Sequence, residues 1–455
     1  MDGRETEVNM DLLDTEGQDV LLANVLPLIS VQKILRDLHF NRIEHLFPRN
    51  SQVSQRYVTK VLSTSSIGMD MDDFRQAATE NMSVVSIRIQ VPEKRDPTSL
   101  SRQTILQWYQ RCTDFAQAIG SLGNLKEMEL VFEGNTVADM NLAALFVKRC
   151  YGIETLRINL GISKNVDSQQ FALALQSHPS LRCIEFNDRT DQSPIDKLSS
   201  QLGTMPHLSS IRFASLRGQG VHFRTLPDTF FEHLKSVTNL KELSLRQCIL
   251  TQNQCELFSA GVLQKNTGIH RLDLCDSMFL GSGGLAPAKA LQGMSSLLGF
   301  SISLLGLDSE ETCNELSRAF LANRGLNAVS IMAVSDRLSD ADVFNRFESA
   351  WFIPFFHALG QLPTLRELHL CDLDKWTQDV ADEFRTLMEV PSSPIENLML
   401  FSYGLAPKWH RIHPFLGTNT ALRCLRLSNC IHSDQADRLY RFFDEIQQTF
   451  GDFED

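Results

Sequence analysis

No run of about eighteen apolar residues occurs anywhere in this 455-residue chain, so a membrane-spanning helix has no candidate segment. The opening residues, MDGRETEVNMDLLDTEGQD, are acidic and lack the basic-then-apolar order of a secretory signal. Together these absences lead us to expect an intracellular, cytoplasmic protein. Lysine and arginine form no run either. With 43 basic and 55 acidic residues the formal charge is -12, and the phosphate-tracking footprint of a nucleic-acid binder is missing. The expected partner is therefore another protein, neither nucleic acid nor membrane. Oligomeric state is not legible.

The ten cysteines include no C-x-x-C pair. Cys150, Cys248, Cys275 and Cys430 fall in or beside the repeat described below, which reads as reduced packing thiols. Signatures of catalysis are equally sparse. No G-x-x-x-x-G-K-[ST] phosphate loop exists, and GSGG at Gly281 to Gly284 lacks dinucleotide spacing and reads as a flexible loop. His410 and His413 in WHRIHP are two ligands short of a zinc site. We assign no catalytic residue, cofactor or metal ligand and expect no enzyme.

What the sequence has is repetition. In NLKELSLRQC the leucines Leu240, Leu243 and Leu245 set an L-x-x-L-x-L template, and matching triplets start at Val84, Leu125, Ile153, Leu181, Leu208, Leu240, Ile269, Leu297, Leu326, Leu365, Ile395 and Leu422. From Leu125 to Leu326 the intervals are 28, 28, 27, 32, 29, 28 and 29 residues, too regular for chance in a leucine-rich chain. Each L-x-L alternates with period two, as a strand with one buried face does. Helical stripes follow: Val380, Phe384 and Leu387 after Thr377, and Leu439, Phe442, Phe443 and Ile446 after Ser433, each with an N-cap hydroxyl in place. Proline or glycine punctuates the return to the next strand, as in LQSHPSL and LGQLPTL.

Parallel strands stack about 4.8 Å apart, whereas a helix with side chains is about 10 Å across, so such a stack bends with strands inside. The chain thus resembles the intracellular leucine-rich repeat proteins of the ribonuclease-inhibitor-like class, over about Val84 to Ile446. The resemblance implies an α/β leucine-rich repeat solenoid, a horseshoe with parallel strands on the concave face and helices on the convex face. Residues 1–80 are expected to form an N-terminal segment and cap, with room for degenerate repeats at LRDLHF and VTKVLS. Residues 81–455 then hold about twelve repeats and a C-terminal helix. The Asn or Cys usual after the last leucine stands at Cys248 and Cys430 but is Glu133, Ser277 or Leu373 elsewhere, which predicts a weakened side-chain ladder.

The function implied is a non-enzymatic protein-interaction scaffold with a concave binding face. A substrate receptor of a ubiquitin ligase and a GTPase-activator-like regulator are the alternatives. Along that face the middle residue of each strand runs Arg88, Glu129, Arg157, Glu185, Arg212, Ser244, Asp273, Ser301, Ser330, His369, Met399, Arg426. Opposite charges alternate first, and pairing across the ladder is expected there. From Ser301 the face becomes small or apolar, and Ser301, Ser303, Leu304, Ser330, Met332, Met399 and Phe401, together with Ala333, are the expected contact residues. Two long intervals, Val84 to Leu125 and Leu326 to Leu365, read as tolerated insertions. The second also offers Trp351, Phe352, Phe355 and Phe356 as an aromatic lip beside the concave face, although inward packing on an amphipathic helix gives the same pattern.

Overall fold

The computed structural model describes residues 59–63, 86–91, 113, 116–117, 119–120, 123–132, 137–160, 169–188, 195–205, 207–215, 224–303, 309–332, 349–371, 377–389, 394–401, 419 and 421–428. The chain divides into two compact units, Met1–Leu198 and Ser199–Asp455.

In the first unit, strands β1 (Thr59–Ser63), β2 (Ser86–Val91), β3 (Glu127–Phe132), β4 (Thr155–Leu160) and β5 (Cys183–Asp188) pair consecutively and in parallel. Helices α1 (Val137–Arg149) and α2 (Gln169–Gln176) cross between strands, as parallel pairing requires. Register repeats from strand to strand: Ile87 faces Met128, Met128 faces Leu156 and Leu156 faces Ile184. β1 joins this ladder one residue away from the phase that Val58 and Val61 suggest, because Val61 pairs with Arg88.

Helix α3 (Ile195–Leu202) precedes the second unit's first strand. That unit carries β6 (Ser210–Ser215), β8 (Glu242–Arg246), β10 (Arg271–Leu274), β12 (Gly299–Ser303), β13 (Ala328–Met332), β14 (Glu367–Cys371), β15 (Asn397–Phe401) and β16 (Cys424–Ser428), again parallel and in sequence order. Between them lie α4 (Asp228–Leu234), α5 (Gln252–Leu257) running into a π-helical turn at Phe258–Leu263, α6 (Leu285–Leu291), α7 (Glu310–Ala322), α8 (Phe352–Leu359) and α9 (Gln378–Glu389). A second, short ladder joins β7 (Arg224–Thr225), β9 (Cys248–Leu250) and β11 (Met278–Phe279).

The template leucines are the core. Leu240, Leu243, Leu245 and Leu250 are at most 1% exposed, and so are Ile269, Leu272 and Leu274. Phenylalanines fill the space between strands and helices of the second unit, with ring centroids 6.2 Å apart for Phe213 and Phe230, 5.7 Å for Phe300 and Phe320, and 5.4 Å for Phe356 and Phe384. Burying each such side chain is worth about 1.5–3 kcal/mol. Helix starts follow their sequence. Thr251 and Gln254 form a reciprocal capping box on α5, and Ser309 Oγ accepts from the Thr312 amide at 3.2 Å on α7.

One backbone device sets the spacing. The carbonyl just after each first anchor accepts two amides from the next repeat: Lys241 O takes His270 N at 2.7 Å and Arg271 N at 3.1 Å, and the carbonyls of His270, Leu298, Asn327 and Arg366 do the same one repeat on. The 39-residue interval from Leu326 to Leu365 obeys this rule as the 28-residue ones do, so the extra residues leave the ladder intact.

The aromatic insertion packs inward. Phe352, Phe355 and Phe356 are at most 1% exposed on α8, against Phe320 and Phe384. Of the two readings of this stretch, inward packing holds for these three rings, because they lose far more by standing in water than by closing over the core. GSGG is not a loose loop either. Gly281 turns at φ +67, and a Cβ on Gly283 would stand 2.9 Å from Cys255 Sγ, so glycine is required by a tight, packed turn. Val380, Phe384 and Leu387 are buried on α9 as their spacing predicts. The helix expected over Leu439 to Ile446, the His410 and His413 pair, Glu133, Leu373 and Cys430 lie outside the described residues.

Candidate interaction surface

Because anchors point to the helices, the alternate residues of every strand leave the opposite face of the sheet. Register brings the predicted middle row into line within each unit: Arg88, Glu129, Arg157 and Glu185 in the first, and Arg212, Ser244, Asp273, Ser301, Ser330, His369, Met399 and Arg426 in the second.

In the first unit the charges close on one another. Arg157 is the hub, with Nη1 3.1 Å from Glu127 and Nε 3.4 Å from Glu185. Beside it Asn159 donates to Glu129 at 2.5 Å, and Asn187 donates to both Asn159 at 2.7 Å and Glu185 at 3.1 Å. The second-unit pairs run partly off the middle row. Arg212 meets Glu242 at 3.0 Å and Arg246 meets Asp273 at 2.6 Å, while Asp273 also accepts from Ser244 Oγ at 3.2 Å and the Cys275 amide at 3.0 Å. Sequence reasoning missed Glu127, Asn159, Asn187, Glu242 and Arg246, although each sits one alternate position from the row that was read.

Asp276 follows Asp273 in a left-handed turn (φ 56). Burial pushes its carboxyl above the ordinary range, with Asp273 adding to the rise and Arg246 opposing it. Gln247, at the equivalent place one repeat back, has the same φ of 56, so the turn belongs to the repeat.

The predicted contact residues divide. Ser301, Ser330 and Met399 are half-buried on the open face, and their backbones fall in one register line through His369. Met332 pairs with Ser303 and Phe401 with Cys371 on the adjoining line. Ser303 itself is 0% exposed. It is therefore no contact residue: strand alternation fixes the direction in which a side chain leaves the sheet, and a serine there is short enough to be covered by its neighbours. Leu304 and Ala333 lie outside the described residues. Among the described residues no group of three or more His, Cys, Asp or Glu is placed to hold a metal ion, and no helix is long and apolar enough to cross a membrane.

A parallel strand and a helix or turn per period, buried L-x-x-L-x-L anchors and a constant register are all now in place. Both units are built of leucine-rich repeats. No protein-family model matches the chain, and no curated relative is found. Among solved structures it is similar to TLR13 in a complex with ssRNA13, at 12% identity and TM-score 0.37, covering 77% of this chain and 43% of that one. It is also similar to the leucine-rich repeat-containing protein LegL7 of Legionella pneumophila, at 11% identity and TM-score 0.35, covering 83% of this chain and 95% of that one. The chain thus spans less than half of the TLR13 chain.

Proposed function

We propose that this chain is a non-enzymatic recognition scaffold of the ribonuclease-inhibitor-like class that binds another protein on the open strand face of its second unit. The observation that supports this reading is the register line Ser301, Ser330, His369, Met399, where Ser301, Ser330 and Met399 are small or apolar and only His369 meets a carboxylate, Glu367 at 2.9 Å, in contrast to the charge pairs of Arg212 with Glu242 and Arg246 with Asp273. Charges already paired across the ladder gain little from a new partner, whereas uncharged side chains on an exposed sheet gain when a partner excludes water. A net charge of -12 repels a polyanion and disfavours nucleic acid as the partner.

Affinity capture with the full chain, followed by mass spectrometry and rebinding of purified prey, tests the placement. Ser330→Arg with Met399→Glu is expected to abolish capture at unchanged melting temperature, and exchanging Arg157 and Glu185 is expected to leave it. Loss of prey by the exchange and retention by the first variant would move the contact surface to the first unit.

A further inference from the structure

The strand-start edge of the second unit carries a feature that the open-face reading does not use. Lys241, Arg271 and Arg324, all exposed, stand there without an ion-pair partner among the described residues. The nearest acid in register, Glu242, pairs across from Arg271 but is engaged by Arg212 at 3.0 Å and Ser210 Oγ at 3.3 Å. These cations stand in a chain whose net charge is -12.

Glycines leave room for side chains along this edge. Lys241 lies across Gly268, its Nζ donating to the Gly268 carbonyl at 3.4 Å and standing 3.1 Å from where a Cβ would be. Arg271 lies across Gly299, with Cγ 3.4 Å from that residue's Cβ position. Leu298, 40% exposed, reaches to 3.6 Å from the Cβ position of Gly325, whose neighbour is Arg324. Lys241, Arg271 and Leu298 thus each lie over a glycine of the following repeat, and in repeat order Leu298 falls between Arg271 and Arg324. Strand spacing of about 4.8 Å places successive cations within the span of a short peptide.

We propose that this edge docks an acidic peptide segment of a partner protein, with carboxylates on Lys241, Arg271 and Arg324 and an apolar side chain on Leu298. Charge complementarity selects the sign of the partner and steers its approach. Leu298 selects a peptide over nucleic acid, because Lys241, Arg271, Leu298 and Arg324 offer no aromatic ring on which bases would stack. The edge borders the face proposed above, with Arg271 two residues before Asp273 on the same strand side, and its variants touch none of Ser301, Ser330 or Met399.

Fluorescence anisotropy of the full chain with a labelled, capped peptide Glu-Asp-Leu-Asp-Glu provides the test, with a leucine-to-serine peptide and a labelled oligothymidylate of about ten nucleotides as comparators. The peptide is expected to bind, more weakly as salt rises. Arg271→Glu with Arg324→Glu is expected to weaken it at least about tenfold. Leu298→Ser is expected to weaken the leucine peptide and leave the serine peptide unchanged, the mark of a direct contact. Melting temperature checks folding, and Lys241→Gln with Arg271→Gln serves should the double reversal not fold. Absence of peptide binding, equal binding by the charge variants, or equal affinity for the oligothymidylate overturns the proposal.

Discussion

Ser277 donates its hydroxyl to the carbonyl of Leu245 one repeat back, at 2.7 Å, and the same oxygen accepts the amide of Cys248 at 3.1 Å. Fully buried, it satisfies two backbone groups that strand β8 leaves free where it turns into β9. The sequence predicts a weakened ladder at Ser277, yet this hydroxyl does there what an asparagine amide would do. Ser277→Ala should therefore cost about 1–3 kcal/mol, since both backbone groups stay buried without a partner. Chemical denaturation checks it, and a variant within error of wild type would mean that water enters the turn.

Leu243 and Lys241 lie two residues apart in the repeat that joins β8, one at 1% exposure and the other exposed. Leu243→Asp should lose about 1.5–3 kcal/mol of leucine burial and in addition strand a carboxylate in the core. Lys241→Asp should change stability little. Equal melting temperatures for the two would contradict the strand phase.

Much of this was legible in the sequence because both signals were periodic. Alternation within Leu243 and Leu245 assigns the buried face, and the near-constant interval assigns the neighbour, so the row from Arg212 to Arg426 could be ordered before any coordinates. What was not legible depends on depth. Phe352, Phe355 and Phe356 obey helical spacing whichever way the helix faces, and only the contacts with Phe320 and Phe384 decide. Ser303 has the correct direction but is overtopped. A further signal went unread: a polar residue three positions before an anchor, in KNTGI, ANRGL, TNTAL and HPSL. Asn323 there donates to Leu291 O at 2.8 Å, and Asn419 to Met388 O at 3.2 Å, tying each helix end to the repeat before it.

Cys150, Cys183, Cys248, Cys255, Cys275, Cys313 and Cys424 are in no disulfide, and Cys150, Cys248, Cys255, Cys275 and Cys313 are buried. Burial pushes the Cys150 thiol up to about 12 and raises Cys275 as well, the latter also by the charge of Asp273. The thiolate is the reactive form, so these groups should stay silent towards a thiol reagent in the native protein near neutral pH. Denaturant with no reductant should then release all ten thiols of the chain. A reproducible deficit of two would show a disulfide outside the described residues.

His178 takes the same pre-anchor place in the first unit that Asn323 takes in the second. Its Nε2 stands 3.0 Å from the carbonyl of Cys150, while Nδ1 is buried with no hydrogen-bond partner. A carbonyl only accepts, so the neutral ring carries its proton on Nε2 and any second proton would go to Nδ1, away from water. Desolvation accordingly holds the pKa below the usual histidine value, with the Cys150 hydrogen bond opposing the shift. The sign follows from linkage. Below the unfolded pKa of about 6.5 the unfolded chain binds a proton that the folded one refuses. This contribution to stability is thus complete above that pH and is lost as pH falls towards the folded value. His178→Asn keeps a donor for the Cys150 carbonyl, as Asn323 provides for Leu291, and removes the titration. It should leave stability at pH 8 within about 1 kcal/mol of wild type and flatten the loss on acidification below about pH 6.5. Denaturation midpoints of the two proteins across that range measure the difference. Parallel acid profiles would show that Nδ1 reaches water and that His178 is no obstacle to protonation.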